Sequence, residues 1–342
     1  MSKTILITGG AGFIAHHAVD YFLKNTDLNI VTLDRLDYSG NLNRLDDVVR
    51  SHSEGDRKRV RTVFHDLKAE LNPQTINMIG EVHYIAHLAA QSHVDRSIEY
   101  PMEFILDNVI GTANILEYAR KIETLERFIY FSTDEVFGPA PEGVNYKENA
   151  RYNSTNPYSA AKAGGEELAV AYHNTYSLPV IITHTMNVFG ERQHPEKYIP
   201  MCIKRVRDGE SVTIHSNANK TKAGSRHYIH AEDVADAISF LINAELDDAT
   251  IDDYGNAKCH KFNIVGGEEL DNLELAQLIA EAEGKELIYE MVDFHSSRPG
   301  HDLRYSLCGE KMKAMGWTPK PVRERLQQVV NWTLENDKWL DL

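Results

Sequence analysis

The sequence predicts an α/β protein, a Rossmann-type doubly wound parallel sheet with a smaller mixed α/β domain toward the C-terminus. Three features point there. Short runs of β-branched and aromatic residues, each of strand length, alternate with helical apolar patterns through the first half of the chain. A glycine-rich turn, Thr8-Gly9-Gly10-Ala11-Gly12, separates the first such run from the first helical pattern. Beyond about residue 190 the alternation gives way to shorter, irregular elements.

Taken in order, residues 4–7 read as a buried strand and the helical pattern after the turn extends to Phe22. Gly9 and Gly12 have the first two spacings of a dinucleotide fingerprint, and Ala15 holds the third position, where helix packs on strand. Glycine lets the backbone approach a pyrophosphate, and a helix N-terminus supplies oriented N–H donors. The next strand, 29–33, ends at Asp34. An acidic residue at that distance accepts the adenosine ribose hydroxyls and repels a 2′-phosphate, which predicts NAD rather than NADP. Residues 41–59 read as a helix and a loop, and 60–64 as a strand leading to His65, Asp66 and Leu67 beside the adenine. A strand over 84–90 ends in Leu88, Ala89 and Ala90, where a flat cofactor can lie against the backbone.

Two long helices are predicted at 101–121 and 157–176, with outer faces long enough for a homodimer of paired helices. A strand follows at 180–183, then a loop over 191–200, a helix at 201–207 and a short strand at 211–215. Residues 217–224 are a polar, basic insertion. A helix begins near residue 232, and the remainder holds a strand at 261–265 and helices at 272–283 and 322–336. The expected division is a nucleotide-binding domain over 1–187 with a return segment at about 226–250. Residues 188–225 and 251–342 then form the substrate domain.

Composition narrows the partners. Among 342 residues, 36 Lys and Arg face 51 Asp and Glu, a formal charge of −15. Such a surface disfavours nucleic acid and anionic membrane. A phosphate-bearing ligand then needs a local basic pocket, and Lys197, Arg226 and Arg298 fall in the C-terminal part. Cys202, Cys259 and Cys308 are scattered without metal-ligand spacing, as expected of a reducing cytoplasm. No segment approaches the roughly 20 apolar residues of a membrane span. His87 and His93 invite a metal reading, but no ligand spacing accompanies them, so no metal is predicted.

The chemistry converges on one strand end. Residues 127–131 are aromatic and branched, and the polarity then switches abruptly at Ser132-Thr133-Asp134-Glu135. In open parallel sheets, ligands bind at the carboxyl ends of strands. Pro157 suits a helix start, and the four-residue step from Tyr158 to Lys162 places phenol and ammonium on one helical face. A lysine cation there favours the phenolate and makes a base. Beside a nicotinamide, such a pair deprotonates an alcohol as hydride leaves its carbon, with Thr133 hydrogen-bonding the same oxygen. That leaves Asp134 and Glu135 unused. Burial and mutual repulsion raise the pKa of adjacent carboxyls, so one stays protonated and the other ionised, an acid and a base suited to eliminating water. Strand neighbours point to opposite faces, so both carboxylates must lie at or past the strand's end.

At this point the chain resembles a known family. The runs that carry the resemblance are Thr8 to Ile14, Leu88 to Ser97, Ser132 to Gly138, Pro157 to Lys162, His194 to Pro200 and Arg298-Pro299-Gly300-His301-Asp302. Together they resemble the nucleotide-sugar 4,6-dehydratases, dTDP-glucose 4,6-dehydratase-like members of the extended short-chain dehydrogenases/reductases. The resemblance implies tightly held NAD and a redox-neutral cycle on a nucleoside-diphosphate hexose. In it Tyr158 deprotonates O4, Glu135 removes the C5 proton, and Asp134 protonates the departing 6-hydroxyl to give a 4-keto-6-deoxy sugar. It also implies that Ser92 and Thr133 contact the sugar, with Ser92 and Tyr158 also beside the cofactor. Asn187, Arg226, Asn272 and Arg298 hold the diphosphate end, helped by Lys197 and His301, and Tyr198 is a further substrate-binding residue. Phe13, Ile14, Asp34, Asp66, Leu67 and Lys162 line the NAD. The chain departs from the pattern at Ala15, at Gln91 in place of Glu, at Phe137 in place of Tyr, and at Asp107 in place of Thr. The base is left open among dTDP, UDP, CDP and GDP. Rival readings are a nucleotide-sugar 4-epimerase, which needs no carboxylate pair after Thr133, and a UDP-glucuronate decarboxylase, which carries Ser where Asp134 stands. A third is an NAD-binding protein without turnover, which tends to lack the Tyr or the Lys.

Overall fold

The computed structural model of the chain describes residues 2–37, 39–246, 258–293 and 304–341. Seven strands form one all-parallel sheet: β1 (Thr4–Thr8), β2 (Asn29–Asp34), β3 (Val60–Phe64), β4 (Tyr84–His87), β5 (Arg127–Thr133), β6 (Val180–Thr185) and β7 (His260–Ile264). Their order is 7-6-5-4-1-2-3. Helices cover both faces of such a sheet, which is why its strands read as apolar runs rather than as alternations. Ile5 and Ile7 of β1 pack with Val19, Phe22, Val234 and Ile238 on one side. Leu6 packs with Val31, Ile85, Ile115 and Phe128 on the other. Helices Phe13–Asn25 and Ala231–Asn243 supply the first layer, Gly111–Ala119 and Pro157–Tyr176 the second. The strand order reverses between β1 and β4, so the connections leaving these strands diverge and open a crevice at their carboxyl ends.

A second core lies beyond the sheet. Ile199 and Ile203 of helix Tyr198–Asp208, Leu275 and Ile279 of Asn272–Glu283, and Leu326 and Val329 of Val322–Glu335 are buried together in it. Short strand pairs complete it: Val212–Ser216 beside Tyr289–Asp293, and Ser225–His227 antiparallel to Glu269–Asp271.

Three elements differ from the sequence reading. The helix expected over 101–121 is broken into Pro101–Ile105, a π-helical turn at Leu106–Ile110, and Gly111–Ala119. The wider turn lets Asn108 Nδ2 donate to Gln91 O at 3.0 Å while its Oδ1 accepts from Gln91 N at 2.8 Å. Strand β7 falls within the stretch assigned to the substrate domain, yet it pairs with β6 and extends the central sheet. Phe262 and Ile264 are buried in the first core, and that burial decides where the strand docks. The helix expected at 201–207 starts earlier, at Tyr198, and so carries Pro200 in its first turn, where a missing N–H leaves nothing unsatisfied. Helix Pro157–Tyr176 has the expected bounds. Pro157 opens it, and Asn156 and Ser159 form a reciprocal capping box.

Candidate active site

The crevice is built by backbone that only glycine permits. Gly9 has φ +71°, and a Cβ there would lie 2.9 Å from Ala89 Cα. A Cβ at Gly12 would lie 2.9 Å from Gly9 O. The loop is anchored to β2, since Gly9 N donates to Leu33 O at 2.8 Å and Ala11 N to Asp34 Oδ2 at 2.9 Å. Helix Phe13–Asn25 starts at Gly12 with no side-chain cap and no acid in its first turn, which leaves its first amide donors for an anion. These features fit a dinucleotide pyrophosphate. Gly9, Gly12, Phe13, Ile14, Asp34, Asp66, Leu67, Leu88, Ala89 and Ala90 all line one cavity of about 410 Å³.

His87 belongs to the frame of this crevice. Its Nδ1 meets Thr8 Oγ1 at 2.8 Å and its Nε2 meets Thr112 Oγ1 at 3.1 Å, while Ala89 N donates to Thr8 Oγ1 at 3.1 Å. Burial, with the Lys162 charge adding, pushes its pKa down to about 3 and keeps the ring neutral. Among the described residues no group of His, Cys, Asp and Glu is arranged to hold a metal ion.

The same cavity continues to Ser92, Thr133, Asp134, Glu135, Tyr158 and Lys162. Strand β5 ends at Thr133, which caps a 3₁₀ turn over Asp134–Phe137 and so puts both carboxylates past the strand rather than on its opposite faces. Thr133 Oγ1 donates to Asp134 Oδ1 at 3.0 Å, and Asn156 Nδ2 donates to Glu135 Oε2 at 3.0 Å. Gly138 ends the turn at φ +73°, where a Cβ would collide with Asn153 O. Burial raises the Asp134 pKa from 3.8 to about 7, Glu135 contributing to the rise while Arg226 and Thr133 oppose it. Asp134 thus keeps its proton well above the usual carboxylate range.

The Tyr158 phenol is held high by burial first and by the Glu135 charge next, with a Thr133 hydrogen bond opposing. The four-residue step from Tyr158 predicts that Lys162 favours the phenolate, and the geometry differs. Lys162 Nζ donates to Phe131 O at 2.6 Å and lies 4.5 Å from the centre of the Tyr130 ring. The i,i+4 step puts both residues on one face, but the ammonium turns back to the β5 backbone. Burial lowers the Lys162 pKa to about 7 against the pull of Glu166.

Behind that face lies a buried ionic cluster. Glu166 is fully buried and accepts from Ser132 Oγ at 2.8 Å, from Lys261 Nζ at 2.8 Å and from the Tyr152 hydroxyl, with His184 Nε2 3.1 Å away. Burial disfavours its ionised form, but His184 and Lys261 outweigh it and hold the carboxyl well below its usual range.

On the substrate side, Asn187, Lys197 and Tyr198 line the cavity. Arg226 and Asn272 stand one layer behind. Arg226 lies over the Tyr305 ring at 4.7 Å, and its charge reaches Asp134. Asn272 accepts from the Tyr198 and Tyr228 hydroxyls at 2.6 and 2.7 Å, and both of those tyrosines face the cavity. Arg298 and His301 lie outside the described residues. Arg35, Asp37, Arg44 and Gln193 also line the cavity, and no motif in the sequence pointed to them. Arg44 donates to Ser39 O at 2.7 Å and to Arg192 O at 2.9 Å, and a partner 148 residues away leaves no local signature.

Fold and site together define a nucleotide-sugar enzyme of the extended short-chain dehydrogenase/reductase class. Comparison with known proteins makes the assignment more particular: a sequence model of the family described as GDP-mannose 4,6 dehydratase matches residues 6–329, and the chain belongs to that family. It is 37% identical over 339 residues to low-salt glycan biosynthesis protein Agl12 of Haloferax volcanii, covering 98% of this chain and 99% of that one. It is 35% identical to dTDP-glucose 4,6-dehydratase 1 of Escherichia coli, over 98% and 94% of the two chains. The dTDP-glucose 4,6-dehydratase of Bacillus anthracis in complex with NAD superposes with a TM-score of 0.83 at 30% identity, covering 99% of each chain.

Proposed function

We propose that the protein is an NAD-dependent hydro-lyase that converts a nucleoside-diphosphate hexose, dTDP-glucose or a similar NDP-glucose, into its 4-keto-6-deoxy sugar. Asp134 carries the reading. It is buried beside a second carboxylate, its pKa is raised to about 7, and it shares one cavity with Glu135 and Tyr158. An epimerase has no use for that acid–base pair, and a decarboxylase has Ser in its place. The likeness to dehydratases extends over nearly the whole chain.

In this reading the residues of the crevice hold NAD, with Gly9, Gly12 and Phe13 at the pyrophosphate and Asp34, Asp66 and Leu67 at the adenosine. NAD held there would supply a hydride acceptor for C4 of the sugar and a hydride donor for C6. Tyr158 can accept the O4 proton only as the phenolate, which the positive charge of NAD held beside it would favour against burial and the Glu135 charge, and Thr133 orients that oxygen. The resulting 4-keto group acidifies C5. Glu135, oriented by Asn156, removes the C5 proton, Asp134 donates its proton to the 6-hydroxyl, which leaves as water, and Glu135 returns its proton to C5 when hydride is restored to C6. Lys162 fixes the β5 backbone beside Tyr158 through Phe131 O. Lys197, Tyr198 and Asn187 bind the diphosphate side, with Arg226 and Asn272 behind them and Arg298 and His301 as further members.

The exposed Ile98, Met102, Ile105, Leu106 and Ile110 give the helices over 94–110 an apolar outer face, which supports a homodimer of paired helices. No described helix is long and apolar enough to cross a membrane, and the three cysteines are free thiols, which supports a cytoplasmic location. The deciding experiment is incubation with a panel of dTDP-, UDP-, CDP- and GDP-hexoses, followed by product mass. Loss of one water without net NADH supports the proposal. A mass-neutral epimer, or loss of carbon dioxide, overturns it.

A further inference from the structure

Two departures from the family pattern, Gln91 and Asp107, are brought together by residues that the sequence reading did not single out. Arg35 directly follows Asp34 at the end of β2 and lines the same cavity as Asp34, Asp37, Asp66 and Asp107. Its guanidinium has five N–H donors in a rigid fork. All five are engaged: Nε with Asp37 at 2.9 Å, Nη1 with Asp107 and with Asp66 at 3.3 Å, and Nη2 with Asp37 and with Asp107 at 2.8 Å. The pairing with Asp107 is bidentate and spans 72 positions in the chain. Asp107 sits on the π-helical turn Leu106–Ile110, and its side chain is 10% exposed. Gln91 Nε2 donates to Asp37 Oδ2 at 3.0 Å, where a glutamate would bring a second negative charge against Asp37. Lys68 reaches Asp66 at 3.6 Å.

An arginine directly after the ribose-binding acid is in the right place to pair with a 2′-phosphate, because guanidinium matches phosphate geometry bidentately. Here that arginine has no donor left. We propose that Asp107 is a specificity-determining residue for the cofactor: by saturating Arg35 it withholds the guanidinium from a 2′-phosphate and, jointly with Asp34, makes the site selective for NAD over NADP. This rests on the reading of the cavity as the NAD site. The acidic ring does two things at once. It neutralises the arginine at this end, and its remaining carboxylates repel a dianionic 2′-phosphate.

The test is a cycle of direct binding measurements on the full chain stripped of nucleotide, with NAD and NADP as ligands in calorimetric titration. The variants are Asp34→Asn, Asp107→Thr, their double, and the double with Arg35→Ala. Asp34→Asn alone is expected to improve NADP affinity by less than about threefold, because Arg35 stays held. The double is expected to improve it by roughly tenfold beyond the product of the two single effects, and Arg35→Ala to abolish that excess. Additive effects, an excess that survives loss of Arg35, or equal weakening of both dinucleotides by Asp107→Thr would each overturn the proposal. If Asp107→Thr does not fold, Asp107→Asn, which keeps the side-chain shape and loses the charge, carries the same cycle. Wild-type NAD binding is measured in the same series, so failure of the cofactor reading itself shows as absent NAD binding, distinct from an additive cycle.

Discussion

Replacing Asp134 by asparagine should harm turnover and at the same time flatten the pH dependence of stability. Folding raises this carboxyl's pKa from 3.8 to about 7 because burial and the Glu135 charge oppose ionisation. A carboxyl whose folded pKa lies above its unfolded value contributes stability that is fully present below about pH 4 and is lost as pH rises through about 7. At about 1.4 kcal/mol per pH unit, the whole loss amounts to about 4 kcal/mol, and about 2–3 kcal/mol of it falls between pH 5 and 8. The Asp134→Asn side chain has nothing to ionise, so that loss disappears. Thr133 can still donate to the amide oxygen, as it does to the carboxyl at 3.0 Å. The amide nitrogen that replaces Oδ2 takes a position with no hydrogen-bond partner among the described residues, at a cost of about 1–3 kcal/mol at every pH. The diagnostic quantity is therefore the slope. Urea unfolding from pH 5 to 8 should show wild type losing about 2–3 kcal/mol relative to the variant. Dehydration should fall by about 10²–10⁴-fold. In wild type the acid must be protonated to act, so kcat/KM should decline as pH rises through about 7. Parallel stability curves for the two proteins would refute the burial argument, and an undiminished dehydration rate would remove Asp134 from its role.

Three further outcomes are expected. Glu135→Gln should abolish exchange of the sugar's C5 hydrogen with solvent, followed by NMR in deuterated buffer, while NAD stays bound; normal exchange would assign the base elsewhere. Glu166→Gln should destabilise the fold by about 3–5 kcal/mol at pH 7 in denaturant titration, because Lys261 would lose its buried carboxylate partner. Gly138→Ala should cost at least about 1–3 kcal/mol, since φ is +73° and the added Cβ would meet Asn153 O, and product formation should fall with it as the turn bearing Asp134 and Glu135 shifts.

Local chemistry made much of this molecule legible. A buried parallel strand must be apolar on both faces, so β1, β2, β5 and β6 stand out as branched runs, and the residue where polarity returns marks the carboxyl end where ligands bind. Gly9, Gly12 and Asp34 could be read because each serves a need of its own strand or turn. The Pro157–Tyr176 helix could be read because proline, cap and periodicity agree there. The requirement that Asp134 and Glu135 lie beyond the strand followed from strand alternation alone, and the 3₁₀ turn meets it.

What the sequence could not determine are the relations between distant segments. Whether Lys162 reaches Tyr158 or the β5 backbone depends on how helix Pro157–Tyr176 docks on the sheet, and docking sends it to Phe131 O. The assignment of β7 to the sheet was settled by burial of Phe262 and Ile264 against helices from elsewhere in the chain. The saturation of Arg35 required Asp107 to arrive on a π-helical turn 72 residues away, and helix periodicity does not announce where an extra residue is inserted. Patterns of three or four residues fix strands, caps and turns because the forces involved are short-ranged. Charge neutralisation and pKa depend on which groups share a low-dielectric interior, and only the packed chain decides that.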